Sequence, residues 1–134
     1  MTSTKLKAAH SLKGAVVVIL DGADRVLLGK RPTDIPCWAP GKWAFPGGKI
    51  ERDESPHDAA VRETKEEMNL EIKNLKEHAP GPASVALYYT RDYEGDIQID
   101  HEHTDWAWVG GDEIENYDLA PDVLAMYRWV LENE

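Results

Sequence analysis

A chain of 134 residues with 42% hydrophobic content is long enough for one core and too short for two, so a single domain over residues 1–134 is expected. Fifteen basic against 25 acidic residues leave a net charge of −10, which disfavours a nucleic-acid polymer as partner but leaves room for a small phosphorylated ligand held by local cations and a metal. No apolar run approaches ~20 residues, residues 1–13 lack the apolar stretch of a secretory signal, and Cys37 is alone, so the expectation is a cytoplasmic protein without membrane span, internal disulfide or thiolate-rich zinc site.

Residues 13–20 (KGAVVVIL) are β-branched and almost continuously apolar, which predicts a strand; residues 25–30 (RVLLGK) predict a second after the turn residues Asp21, Gly22, Ala23 and Asp24. Residues 31–42 hold three prolines and one glycine and read as a loop, with Cys37 as an ordinary loop thiol. The short apolar segment 43–45 then runs into Pro46, Gly47 and Gly48, a predicted turn whose glycines let backbone approach backbone or ligand closely.

A helix is expected from near residue 56. Ser55 suits the cap, Pro56 the first helical position, and Asp58 places negative charge near the positive end of the dipole. Asn69, able to adopt the left-handed conformation, closes it, and Ala60, Val61, Thr64 and Met68 are spaced to pack on a sheet. A different face carries Glu63, Glu66 and Glu67. At about 100° per residue, positions i, i+3 and i+4 fall within an arc of roughly 100°, and a like-charge i,i+4 pair costs a helix ~0.2–0.5 kcal/mol. A divalent cation would neutralise the cluster, and Mg²⁺ or Mn²⁺ suits a carboxylate and carbonyl set better than it suits imidazole or thiolate. A Glu-rich helix alone is commonly a solvated face; the glycines ahead of this one and Arg62 within it set it apart.

Pro80, Gly81 and Pro82 break the chain before a predicted strand at 85–90 (VALYYT). Residues 96–100 and 106–109 read as weaker strands, with His101 and His103 as surface strand residues between them. An amphipathic helix is expected over 121–131, with Val123, Leu124, Tyr127, Val130 and Leu131 at core spacing. Strands mixed with two helices imply an α/β sandwich with a mixed sheet.

Residues 48–70 (GKIERDESPHDAAVRETKEEMNL) resemble the Nudix hydrolase family, whose motif runs Gly, five residues, Glu, seven residues, Arg-Glu, one apolar or Thr position, one residue, Glu-Glu, one residue, Gly, then an apolar residue. Gly48, Glu54, Arg62, Glu63, Thr64, Glu66, Glu67 and Leu70 match, and Asn69 stands where the motif has glycine. As asparagine is next best to glycine at a left-handed helix end, the substitution should cost a few tenths of a kcal/mol. The resemblance implies an α/β/α sandwich with a mixed central sheet and a metal-dependent hydrolase. The bond cleaved would be the pyrophosphate linkage of a nucleoside diphosphate joined to another group. It also implies that Glu66 and Glu67 bind Mg²⁺ or Mn²⁺ with the backbone carbonyl of Gly47, that Glu63 binds metal or acts as general base, and that Arg62 holds the Glu63 carboxylate. Gly48 would give a tight loop and Glu54 a contact fixing loop to helix. A further acid often comes from a later segment, and Glu102, six residues before Trp108, is the candidate for both metal binding and catalysis.

For the substrate, residues 41–51 (GKWAFPGGKIE) resemble the MutT-type enzymes acting on nucleoside triphosphates, including oxidised ones. Tyr88, 18 residues past Leu70, and His101, Glu102 and His103 are similar to the dinucleoside polyphosphate hydrolases, whereas Ala86 departs from the proline of the ADP-ribose hydrolases. A dinucleoside polyphosphate such as diadenosine tetraphosphate is favoured, with nucleoside triphosphates, nucleotide sugars and ADP-ribose as alternatives. A nucleotide-sensing module without catalysis is the alternative of another kind, disfavoured because every motif acid is retained. Candidate substrate contacts are Arg31, Trp43, Tyr88 and Asp122. Their plainer readings are solvation for Arg31, packing for Trp43 and Tyr88, and a helix cap for Asp122.

Overall fold

The apolar run near the start of the chain forms the centre of a layered structure, with both of its faces covered. The computed structural model describes residues 12–78 and 84–134. Its elements follow as β1 (Gly14–Ile19), β2 (Val26–Lys30), β3 (Trp43–Ala44), β4 (Gly47–Lys49), α1 (Pro56–Met68), β5 (Glu71–Lys73), β6 (Lys76–His78), β7 (Val85–Thr90), β8 (Asp92–Glu94), β9 (Asp105–Val109), a 3₁₀ turn (Ile114–Asn116) and α2 (Val123–Asn133). The mixed sheet has the order β4-β1-β7-β6, with β1 parallel to β7 and antiparallel to β4. A second sheet, β3-β2-β9, is antiparallel, and β5 pairs with β8.

Strand alternation divides the core between two helices. Ala15, Val17 and Ile19 share one cluster with Leu27, Ala86 and Tyr88, under Ala59, Ala60 and Met68 of α1. Val18 and Leu20 share the other with Val26, Leu28, Leu87 and Tyr89, under Val123, Tyr127 and Val130 of α2. A strand buried on both faces has no polar side to show, hence the nearly unbroken apolar run. Full burial of each such aliphatic side chain contributes roughly 1.5–3 kcal/mol.

The first helix begins and ends where its caps require. The Ser55 hydroxyl accepts from the Asp58 N–H at 3.0 Å, and Asn69, at φ 61°, donates its N–H to the Lys65 carbonyl. Two carbonyls of the last turn would otherwise lack partners. They are taken up by residues 96–100: Gln98 N–H donates to Met68 O at 3.0 Å and Asp100 N–H to Glu67 O at 3.3 Å. This corrects the expected strand at 96–100, whose N–H groups serve the helix end instead of a ladder.

Other boundaries also move. Gly47 and Gly48, read as a turn, belong to β4 and pair with β1. The second helix starts at Val123 because Asp122 is left-handed, at φ 69°. Strands β5, β6 and β8 were not anticipated; each is three residues of largely charged sequence (EIK, KEH, DYE), too short to display alternation. The break at Pro80, Gly81 and Pro82 lies outside the described residues. Among the described residues no helix is long and apolar enough to cross a membrane.

Candidate functional site

Strand β4 and helix α1 meet along two glycines, and this contact builds the acidic site. A Cβ on Gly47 would lie 2.2 Å from Ala15 O and 2.7 Å from the Val16 Cα, so only glycine permits β4 to approach β1 here, with φ at 149°. The Gly47 N–H donates to Glu67 Oε1 at 2.9 Å. At Gly48 a Cβ would lie 2.7 Å from Cδ of Glu63 and within 2.9 Å of both its oxygens, so the missing side chain is the space that the Glu63 carboxylate fills. Gly48 therefore seats an acid within a strand, correcting its reading as a tight loop.

Arg62 organises the acids from within the helix. Its Nε and Nη2 donate to the two oxygens of Glu54 at 2.7 and 2.9 Å, a bidentate pair, and Nη2 also donates to Lys49 O at 3.0 Å. Its Nη1 donates to Glu63 Oε1 at 2.9 Å and to Glu66 Oε2 at 3.2 Å, so one nitrogen bridges two of the motif acids. Glu54 also accepts from the Glu51 N–H at 3.0 Å, and the Arg62 hydrogen bonds hold its carboxyl at about 2. The loop 50–55 is thereby tied to the helix.

The three helix acids differ sharply. Glu67 is 3% exposed, Glu63 is mostly buried, and Glu66 is exposed. Burial pushes Glu67 up to about 8; the Gly47 N–H opposes this, while the charges of Glu63, Asp100 and Glu102 add to it. Burial also raises Glu63, with Arg62 pulling it down and Glu66 and Glu102 pushing it up. Glu102 thus lies within electrostatic reach of both buried acids although 35 and 39 residues separate them in sequence. Among the described residues, no three His, Cys, Asp or Glu side chains are placed closely enough together to hold a metal ion as they stand. The carboxylates of Glu63, Glu66, Glu67 and Glu102, whose charges bear on the ionisation of the buried acids, are nevertheless hard oxygen donors of the type that suits Mg²⁺ or Mn²⁺.

A cavity of about 450 Å³ adjoins the acids, with Gly47 and Gly48 common to both; Arg31, Trp38, Phe45, Lys49, Asp122 and Met126 also line it. Arg31 Nε donates to the Trp38 carbonyl, and its guanidinium lies 5.8 Å from the Trp38 ring. Asp122 does not cap α2 through its side chain. Two other candidate contacts are placed elsewhere. Trp43 packs edge-on against Tyr117, with ring centroids 5.1 Å apart, and does not line the cavity. Tyr88 is buried on the α1 side, because alternation along β7 puts it with Ala86, and it meets His57 edge-on.

Two residues escaped the sequence reading, and a third is placed differently from its expectation. Trp38 borders the cavity although it is 59% exposed. Asp100 contributes charge beside Glu67. His103, expected as a surface strand residue, has a side chain 2% exposed and lies 3.0 Å through Nδ1 from Asp100 Oδ1. Gly29, a glycine inside a strand, is the one sequence signal for such a close approach.

A NUDIX domain model matches residues 10–130. The chain is 32% identical over 113 residues to a CTP pyrophosphohydrolase of Escherichia coli (strain K12), covering 79% of this chain and 82% of that one. It is 34% identical over 83 residues to an asymmetrical bis(5'-nucleosyl)-tetraphosphatase of Caenorhabditis elegans, covering 53% of this chain and 60% of the relative. The fold is shared with the crystal structure of a MutT NUDIX hydrolase from Burkholderia pseudomallei, with TM-score 0.72, 23% identity, and coverage of 87% of this chain and 95% of that one.

Proposed function

The chain belongs to the Nudix hydrolase family, and from that premise we propose that it cleaves the pyrophosphate linkage of a nucleoside triphosphate, using Mg²⁺ or Mn²⁺ held by Glu63, Glu66, Glu67 and Glu102. The observation that carries this reading is the burial of Glu67 beside the charges of Glu63, Asp100 and Glu102, which disfavours its ionised form unless a cation neutralises it. Such a cation supplies neutralisation of phosphate oxygens and a more acidic water.

The chain's own residues supply the rest. Gly47 N–H orients Glu67, Gly48 makes room for Glu63, and Arg62 holds Glu63 against β4. Glu66, exposed and bonded through one Arg62 nitrogen, is able to exchange that contact for a cation. Glu63, or a carboxylate beside it, accepts the proton of the attacking water. The 450 Å³ cavity has room for one nucleoside, with Trp38 as an aromatic wall and Asp122 as a hydrogen-bond acceptor for a base edge. The Gly47 contribution seen in the structure is its N–H; a ligating role for its carbonyl remains part of the proposal.

A dinucleoside polyphosphate is the second reading, favoured by the similarity to the Caenorhabditis elegans tetraphosphatase. It ranks second because Tyr88, its residue marker, is buried away from the cavity. A screen of phosphate and pyrophosphate release over nucleoside triphosphates, dinucleoside polyphosphates, nucleotide sugars and ADP-ribose, with Mg²⁺ and Mn²⁺, tests both. Preferred cleavage of triphosphates supports the first reading and preferred cleavage of diadenosine tetraphosphate the second. Binding without cleavage of any of them would indicate a nucleotide sensor.

A further inference from the structure

We propose that Asp100 and His103 form a positioning pair that sets Glu102 against the buried acids of α1; this rests on the reading of Glu102 as one of the acids of the cation site. Glu102 is exposed and lies on a turn outside any strand, so by itself it would sample many positions. Its backbone is fixed from below. The Glu102 N–H donates to Asp100 Oδ1 at 3.1 Å, and the same oxygen lies 3.0 Å from His103 Nδ1. A carboxylate offers only acceptors, so Nδ1 carries the hydrogen in this contact. The His103 N–H closes the turn on Asp100 O at 3.2 Å.

One end of the turn is anchored to the helix that bears the acids and the other to β2. Gln98 and Asp100 donate their N–H groups to Met68 and Glu67, in the helical turn that carries Glu67, and Thr104 donates to Lys30 O at 3.0 Å. The imidazole is locked by absence of bulk. A Cβ on residue 29 would come within 2.6 Å of both Cδ2 of His103 and Cε of Met68, so Gly29 is the socket in which the ring sits. A buried imidazole N–H without its acceptor is destabilising, so the ring and Asp100 hold each other in place. The result is a turn closed from Asp100 to His103 with Glu102 inside it, registered to Glu67 through the backbone. Through Oδ1, engaged by two donors, Asp100 acts on Glu102 and His103.

The test uses Mn²⁺ alone, titrated by electron paramagnetic resonance, together with initial rates on CTP and diadenosine tetraphosphate. Asp100→Ala is expected to weaken Mn²⁺ binding about tenfold or more and to lower kcat with little change in KM. Asp100→Asn retains more of both, because its amide oxygen accepts the same two hydrogen bonds. Adding Asp100→Ala to Glu102→Gln should cause little further loss, since the first acts through the second. If Asp100→Ala fails to fold, His103→Ala and His103→Asn take its place; the asparagine, whose amide N–H stands near the position of Nδ1–H, should recover part of what alanine loses. Multiplicative losses in the double variant, equal damage from Asp100→Asn and Asp100→Ala, or no recovery by His103→Asn would overturn the positioning pair. A parent protein that neither binds Mn²⁺ nor cleaves either nucleotide would instead overturn the cation-site reading beneath it.

Discussion

Replacing Glu67 by glutamine should make the metal-free protein more stable at alkaline pH while removing its response to Mg²⁺. The side chain is 3% exposed, and burial first, then neighbouring acids, push its carboxyl from 4.5 up to about 8. A folded-state value above the unfolded one means that the native state holds the proton more tightly, so this stabilising contribution is complete below about pH 4.5 and is lost as pH rises through about 8. At ~1.4 kcal/mol per pH unit, ionising Glu67 in the native state costs up to about 5 kcal/mol above pH 8. Glutamine removes that cost and its oxygen still accepts the Gly47 N–H. Urea unfolding of both proteins in EDTA from pH 4 to 9 should give a stability difference that grows in favour of Glu67→Gln with pH. In Mg²⁺ at ~100 times its dissociation constant the parent should regain about 2.7 kcal/mol and the variant little. A difference that stays flat across pH would refute the buried, cation-seeking carboxylate.

Gly48→Ala should leave the fold intact, because the atoms its Cβ meets are the end of a flexible side chain, but should displace Glu63 and lower turnover about tenfold or more. Gly47→Ala meets backbone at 2.2 Å and should instead destabilise the fold by more than ~2 kcal/mol; urea unfolding beside rate measurements separates the two. Arg62→Lys keeps the charge but cannot bridge Glu54 bidentately while also reaching Glu63, and should reduce kcat about tenfold or more with the protein still folded by circular dichroism. Tyr88→Phe should leave the ratio of rates on CTP and diadenosine tetraphosphate unchanged, as the side chain is buried away from the cavity; a changed ratio would contradict that placement.

Much of the architecture was legible because periodicity and chemistry agreed. Ser55, Pro56 and Asn69 mark the ends of α1, and the unbroken apolar run of β1 signals a strand covered on both faces. The acids of α1 were legible as a group but not as individuals. Helical spacing puts Glu63, Glu66 and Glu67 on one arc, yet only the approach of β4 buries Glu67 and leaves Glu66 in solvent. Whether Tyr88 faces α1 or the cavity depends on the register of β7 against β1, which the sequence of β7 does not contain. The same holds for His103: its burial depends on Gly29, 74 residues earlier, and on the antiparallel pairing of β2 with β9 just beyond it. Residues 96–100 have a strand-like composition, but their N–H groups have a better use at the end of α1.

In the proposed function, cleavage of a nucleotide pyrophosphate bond depends on a divalent cation held at the Glu63, Glu66 and Glu67 face. The most direct measurement is phosphate and pyrophosphate release from the four nucleotide classes by the parent in Mg²⁺, by the parent in EDTA, and by folded Glu67→Gln in saturating Mg²⁺. Turnover of at least one class is expected in the first condition, and its loss in the other two. Equal turnover by parent and Glu67→Gln, or turnover indifferent to EDTA, would contradict it.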